Sequence, residues 1–221
     1  KRQAHSIAHA EKTMELTYVV LTKVDRDDLE DGGAAHVNAC VEEMKAASPD
    51  LKVEVLMGDF RARPEALHVI ADGPSDVLAH NVETTREQTK RVRDAKCSYD
   101  QSLEALRILK RRQPENLTKS SIMIGVGETP EGVRETLRDL RAAEVDIVTL
   151  GQYLQPTPRH LPVAEFVPPE TFAAWREEAL EMGFLFCASG PLVRSSYKAG
   201  ELFAERWLRD RDRVSAIQGE V

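Results

Sequence analysis

Apolar residues recur along the chain in two alternating rhythms. Short runs with no polar face of their own fall at residues 18–22 (YVVLT), 53–57 (VEVLM), 77–79 (VLA), 121–126 (SIMIGV), 146–150 (DIVTL) and 184–187 (FLFC). Strands of this kind are buried on both faces, as in a parallel sheet covered by helices. Between the runs, apolar positions return at helical spacing. Val37, Val41 and Met44 mark a helix ending near Ala47, and residues 64–70 form a short one behind Pro64. Leu103, Leu106 and Leu109 stripe a helix from about Tyr99; Val133, Leu137 and Leu140 stripe the next. Phe172, Trp175 and Ala179 face inward on a helix over 169–182 that stops at Gly183. Thr129 followed by Pro130 is a strong helix start, an N-cap hydroxyl ahead of a residue that needs no N–H partner. A weak helix is expected over 5–15 and a charged one over 199–214, anchored by Leu202, Phe203 and Trp207.

Strand–helix alternation from end to end predicts an α/β fold, a partial parallel (β/α) barrel, with a flat doubly wound sheet as the alternative. No internal repeat or domain boundary interrupts it, so residues 1–221 read as one domain with a C-terminal tail over 184–221.

Length and composition narrow the function without naming it. The 221 residues suffice for one large core. A net charge of −7 with both signs interspersed argues against a general nucleic-acid binder. No apolar run reaches the ~18 residues of a membrane span and no signal peptide opens the chain, which begins at Lys1 as a processed or incomplete protein would. Cys40, Cys97 and Cys187 share no paired spacing, which fits a reducing, cytoplasm-like compartment and ordinary buried thiols.

The polar clusters fall after the strands, where α/β barrels carry their chemistry. Asn81 and Glu83, two apart on an extended strand end, present both side chains to one side and suit a vicinal diol such as a ribose; a satisfied strand-end turn is the plain alternative. Gly125 and Gly127 would bring backbone close to a ligand, or merely turn the chain. Asp25, Asp27, Asp28 and Asp31 read as a solvated loop or a hard-cation site. His160 reads as a surface histidine or a substrate contact. A serine hydrolase would need a G-x-S-x-G elbow, and none appears.

The run SGPLVRSSYKAG (189–200) resembles the C-terminal signature of lipoyl synthase, a radical S-adenosylmethionine (SAM) enzyme family. The blocks YVVLTKVDRDDLEDGGA, VEVLMGDF, HNVET, TKSSIMIGVGET, DIVTLGQYLQPT and RHLPVAEFVPPE resemble the same family, in family order, over residues 14–203. The resemblance implies a radical SAM-type partial barrel that inserts two sulfur atoms into an octanoyl chain carried on a protein. One [4Fe–4S] cluster would reduce SAM to a 5′-deoxyadenosyl radical, and a second, auxiliary cluster would be consumed as sulfur donor. Implied partners are an octanoylated lipoyl-carrier domain or glycine-cleavage H protein and an electron donor such as ferredoxin or flavodoxin. Nucleic acid and membrane are not among them. The implied compartment is the cytoplasm, or the mitochondrial matrix or plastid in a eukaryote.

Carried over by position, Asn81 and Glu83 would contact the SAM ribose, Thr22 and Asp25 would lie near its methionine end, and Gly125 and Gly127 would let backbone approach it. Ser196 would be the oxygen ligand to the auxiliary cluster, with Arg194 positioning substrate or cluster. An alkoxide holds iron less tightly than a thiolate and can leave when the cluster is dismantled. The family's two cysteine motifs are absent here, so the expectation is a lipoyl synthase without its N-terminal third and first strand, inactive by itself. A cluster-free SAM- or carrier-binding paralogue, a split enzyme completed by a partner chain, and an unrelated barrel lyase using Lys23 or Lys119 stay open.

Overall fold

The structure, a computed structural model, describes residues 6, 14, 16–195 and 203–211. Six strands form one sheet: β1 (Tyr18–Thr22), β2 (Lys52–Leu56), β3 (Val77–Ala79), β4 (Leu117–Ile124), β5 (Ile147–Gln152) and β6 (Phe186–Gly190). Every neighbouring pair is parallel and the spatial order follows the chain order. A doubly wound sheet reverses its strand order at a switch point, so the sequential order excludes that alternative and leaves a partial α/β barrel.

The helices connecting the strands are α1 (Ala34–Ala47), α2 (Pro64–Ala71), α3 (Thr89–Val92), α4 (Tyr99–Arg112), α5 (Pro130–Ala142) and α6 (Pro169–Glu181). Thr129 caps α5 as its sequence predicts, its hydroxyl accepting the Gly132 N–H at 3.0 Å, and Ser98 caps α4 in the same way. The outward strand residues pack on these helices in two apolar clusters. One gathers Ile122, Ile124, Val148 and Leu150 with Phe172 and Trp175; the other gathers Val53, Val55 and Leu78 with Val41, Met44 and Leu67.

The inward face is different. Its lowest layer is apolar and is plugged by the helical residues 203–211: Val77, Leu117, Ile147, Tyr18 and Phe186 pack with Phe203, Ala204, Trp207 and Leu208. The next layer is charged. Lys119 on β4 donates to both carboxylate oxygens of Glu54 on β2, at 2.8 and 2.9 Å, and Tyr18 adds its hydroxyl at 2.7 Å. Both side chains of the ion pair are almost completely buried, 3% and 1% exposed. Above them Thr149 donates to Ser121 at 2.8 Å. The polarity therefore rises along the interior toward the C-terminal ends of the strands.

Three expectations need correction. β4 begins at Leu117, four residues before the expected start at 121, because Thr118, Lys119 and Ser120 are buried and satisfied within the barrel. The last strand is Phe186–Gly190 and not 184–187: Phe184 packs under α6 and Leu185 is exposed, while the polar end of the run takes the register against β5. The helix expected over 5–15 lies almost wholly outside the described residues, as do both ends of the expected 199–214 helix.

Breaking the interior ion pair tests this architecture. Lys119→Met leaves the Glu54 carboxylate buried with Tyr18 alone and is expected to cost about 3–5 kcal/mol. Adding Glu54→Gln, which keeps an acceptor for Tyr18, is expected to recover most of that loss. Urea denaturation of the single and double variants checks both.

Candidate functional site

Two cavities open at the C-terminal ends of the strands. The smaller, about 290 Å³, is bounded by Asn81, Glu83, Ser121, Met123, Tyr153 and Arg194, with Gly151, Gln152 and Ser195 completing the wall. The larger, about 570 Å³, lies beside β1 and β2, between the Lys23–Gly32 loop, Phe60–Arg63 and the Arg93–Cys97 segment.

The smaller cavity is made by an irregular end to β3. Regular pairing stops at Ala79, and the Val82 N–H donates to the Ser120 hydroxyl at 3.2 Å in place of a backbone carbonyl. Pairing then resumes as a single bridge, with Glu83 N–H on Ser121 O at 3.0 Å and Met123 N–H on Glu83 O at 2.8 Å. Glu83 takes φ +67°, a left-handed conformation that costs a non-glycine residue roughly 1–2 kcal/mol. The detour is what sets the Asn81 and Glu83 side chains on the same cavity wall. Burial pushes the Glu83 carboxyl up from its ordinary range, partly offset by a hydrogen bond from Asn81 and by the positive charge of Arg93.

The expected site residues separate in space. Asn81, Glu83 and Arg194 share the smaller cavity, and Asp25 lines the larger one. Thr22, Gly125 and Gly127 line neither. Ser196 lies outside the described residues, one position beyond Ser195 on the cavity rim. The two glycines have local tasks. Both have positive φ, +99° and +105°, and a Cβ on Gly125 would come within 2.5 Å of Glu165 O and closer still to the Gln152 amide. That close approach pins the 153–167 loop, whose Ala164 N–H donates to Gly125 O. The Gly125 and Val126 N–H groups are already taken by the Glu128 carboxylate at 2.7 and 2.9 Å.

Among the described residues Arg194 donates only to backbone carbonyls, those of Val193 (2.6 Å), Pro191 and Gln152. Its position over β5 depends on Gly151, where a Cβ would strike Val193 O at 2.2 Å. The acidic loop is not a cation cage: Asp27 pairs with Lys96, Asp28 with Arg26, and Asp31 accepts the Gly33 and Ala35 N–H groups at the start of α1. His160 is exposed and hydrogen-bonded within its own turn to Thr157. The lysines of the lyase alternative are both engaged, Lys119 with Glu54 and Lys23 over the Phe60 ring.

Ser121 and Met123 are cavity residues that the sequence analysis placed only inside a strand. The period-two pattern Lys119, Ser121, Met123 carried the signal.

For an iron–sulfur cluster the described residues are a poor fit. No group of three or more His, Cys, Asp or Glu side chains among them converges. Cys40 is buried in α1, Cys97 lies half-buried beside the larger cavity, and Cys187 is sealed between sheet and α6 with its thiol pushed up to about 12 by burial. For an adenosyl ligand the smaller cavity fits better, with an amide, a carboxylate and a guanidinium on its walls.

The raised Glu83 carboxyl has a pH signature. With its pKa raised in the folded protein, the folded state binds the extra proton, so its contribution is present below the unfolded pKa and is lost as pH rises through the folded value. Glu83→Gln is therefore expected to gain stability relative to the parent at pH 7 compared with pH 4. Paired urea denaturation at the two pH values checks the sign.

Comparison with known proteins matches these features to one family. Residues 4–140 match the model of the radical SAM superfamily. The chain is 52% identical over 210 residues to a mitochondrial lipoyl synthase of Eremothecium gossypii, covering 95% of this chain and 57% of that protein. It is 53% identical to a lipoyl synthase of Sorangium cellulosum, covering 95% and 60%. The chain thus spans well under two thirds of the length of these relatives. Among solved structures, the FeFe-hydrogenase maturase HydG from Carboxydothermus hydrogenoformans aligns over 93% of this chain and 58% of its own, at TM-score 0.59 and 12% identity. Methylornithine synthase aligns over 75% and 47%, at TM-score 0.54 and 20% identity. These likenesses support the fold, a sequential parallel sheet with its polar cavity at the strand ends. The matched family model, which covers more than half of the chain, establishes that the chain belongs to the radical SAM superfamily.

Proposed function

We propose that this chain is the barrel portion of a lipoyl synthase, acting in SAM-dependent insertion of two sulfur atoms into a protein-bound octanoyl chain. The observation that carries the reading is the 52–53% identity over 95% of the chain to proteins named lipoyl synthase, combined with the cavity that brings Asn81, Glu83 and Arg194 together. In this family SAM supplies the radical that removes hydrogen from unactivated carbon.

The residues of this chain have binding and orienting roles. The Asn81 amide donates to one ribose hydroxyl and the Glu83 carboxylate accepts from the other, with Glu83 held in place by its bridge to β4. Arg194 has no carboxylate among its described hydrogen-bond partners, so its guanidinium is available to an anionic group at the mouth of the cavity. Asp25, on the wall of the larger cavity, and Thr22, at the end of β1, are assigned to the methionine end of SAM. Ser196, which follows Ser195 in sequence, is the oxygen ligand of the auxiliary cluster. The cysteine ligands of both clusters are not supplied by Cys40, Cys97 or Cys187, so no cluster step is assigned to the described residues.

The substrate is an octanoylated lipoyl-carrier protein such as a glycine-cleavage H protein. The reductant is a small electron carrier of the ferredoxin or flavodoxin kind. The compartment is a bacterial cytoplasm or the mitochondrial matrix, a reading supported by the mitochondrial name of the Eremothecium gossypii relative. Among the described residues no helix is long and apolar enough to cross a membrane.

A chimera tests the reading. This chain, completed with the segment of the Sorangium cellulosum relative that it does not cover, is expected to lipoylate an octanoylated carrier after anaerobic reconstitution with iron and sulfide. In that chimera Ser196→Ala is expected to abolish sulfur insertion while 5′-deoxyadenosine is still released, and Asn81→Ala to lower both. Mass spectrometry of the carrier and chromatography of the nucleoside separate the two effects; equal loss of both in Ser196→Ala would refute the role given to Ser196. The 221-residue chain alone is expected to bind no stoichiometric iron under the same reconstitution.

A further inference from the structure

The imidazole of His80 is buried, 3% exposed, one residue before Asn81; it does not line the smaller cavity and reaches Ser102 on α4. Nδ1 lies 3.0 Å from Met57 O and Nε2 lies 3.0 Å from the Ser102 hydroxyl. A carbonyl can only accept, which assigns the proton to Nδ1 and leaves Nε2 as acceptor. The one hydroxyl hydrogen of Ser102 is then used on Nε2. Its oxygen in turn accepts from the Arg93 guanidinium at 2.5 Å. Every member has a partner and the direction of donation is unique: Arg93 to Ser102, Ser102 to His80, His80 to Met57.

The ends of this chain of hydrogen bonds matter. Met57 continues β2 and its N–H donates to Ala79 O at 3.0 Å, so His80 ties the end of β3 to the end of β2 where regular pairing stops. Arg93 stands on the wall of the larger cavity and its charge is felt by Glu83. The left-handed Glu83 and the irregular Asn81–Val82 step lie immediately beyond. Such a step relaxes unless its neighbours over-determine it.

We propose that His80 is a positioning residue that, through Ser102 and Arg93, holds Asn81 and Glu83 in the geometry that receives the ribose, and couples that geometry to the wall of the larger cavity. The ribose part of this statement rests on the SAM reading above; the anchoring part does not. Burial, aided by the positive charge of Arg93, pushes the His80 pKa below the ordinary value against the Met57 hydrogen bond and the pull of Asp59 and Asp25, in keeping with the neutral donor–acceptor arrangement.

The test uses the 221-residue chain in four forms besides the parent: His80→Ala, His80→Asn, Ser102→Ala and Asn81→Ala. Amide hydrogen exchange is followed at Glu83 and Met123, with the amides of β6 as the distant control, and S-adenosylhomocysteine affinity is measured by calorimetry. Ser102→Ala and His80→Ala are expected to speed exchange at Glu83 and Met123 at least tenfold without change in β6. They are also expected to weaken the ligand about tenfold, as loss of a supporting partner does for a bound group. His80→Asn keeps a donor for Met57 O and is expected to fall between His80→Ala and the parent. Asn81→Ala is expected to lose affinity with exchange unchanged. Unaltered exchange at Glu83 and Met123 in Ser102→Ala and His80→Ala overturns the positioning role, and so does a rise spread equally over β6. If Asn81→Ala binds like the parent, the ribose reading has failed while the exchange data still decide the role of His80.

Discussion

The ion pair between Glu54 and Lys119 is the constraint on which the interior depends. The two residues belong to β2 and β4, so their bond passes over β3, the shortest strand of the sheet. Ala79, the residue of β3 in register with Lys119, is small enough to lie beneath that bond. A pair reaching across an intervening strand on the concave side favours curvature, and the Tyr18 hydroxyl draws β1 into the same contact. The charge is tolerated because carboxylate, ammonium and phenol satisfy one another; a lone charge at the same depth would be costly. The sheet is thus curved from within as well as covered from without.

That arrangement explains why the site forms where it does. With apolar contacts filling the lower interior and the ion pair above them, the polar groups that remain lie at the strand ends. There β3 gives out early and its continuation is improvised from one side-chain hydrogen bond and one bridge. A regular strand would direct residues 81 and 83 by pleat alone; here a strained residue and a buried histidine take over that task. Glycines on the neighbouring strands supply the room: Gly125 admits the 153–167 loop, and Gly151 admits the turn that carries Arg194.

Much of this was legible in the sequence. Six continuous apolar runs and the helical stripes between them are enough for the parallel α/β fold, because burial on both faces leaves no other pattern. Asn81 and Glu83 could be paired from their spacing, and the family likeness of HNVET and RSSY pointed to the same strand ends. What was hidden depends on distance. Thr118, Lys119 and Ser120 look like a loop until Glu54, 65 residues away from Lys119, is placed opposite. Gly125 and Gly127 read as a ligand-approach turn or a plain one, because spacing alone does not show that Glu128 accepts the Gly125 and Val126 N–H groups. His80 gives no sign of its partners, since Met57, Ser102 and Arg93 come from three separate segments.

The plug at the base of the barrel has a kinetic meaning. Phe203, Ala204, Trp207 and Leu208 complete an apolar layer whose other members include Tyr18 on the first strand and Val77 on the third. That layer stays open to water until residues 203–211 are in place. Contacts of such long sequence separation slow folding, since the closure entropy of most of the chain is spent before they form. During synthesis the strands can pair and the outer helices can pack, but the lumen closes at this layer only when residues 203–211 have emerged, which makes them its latch.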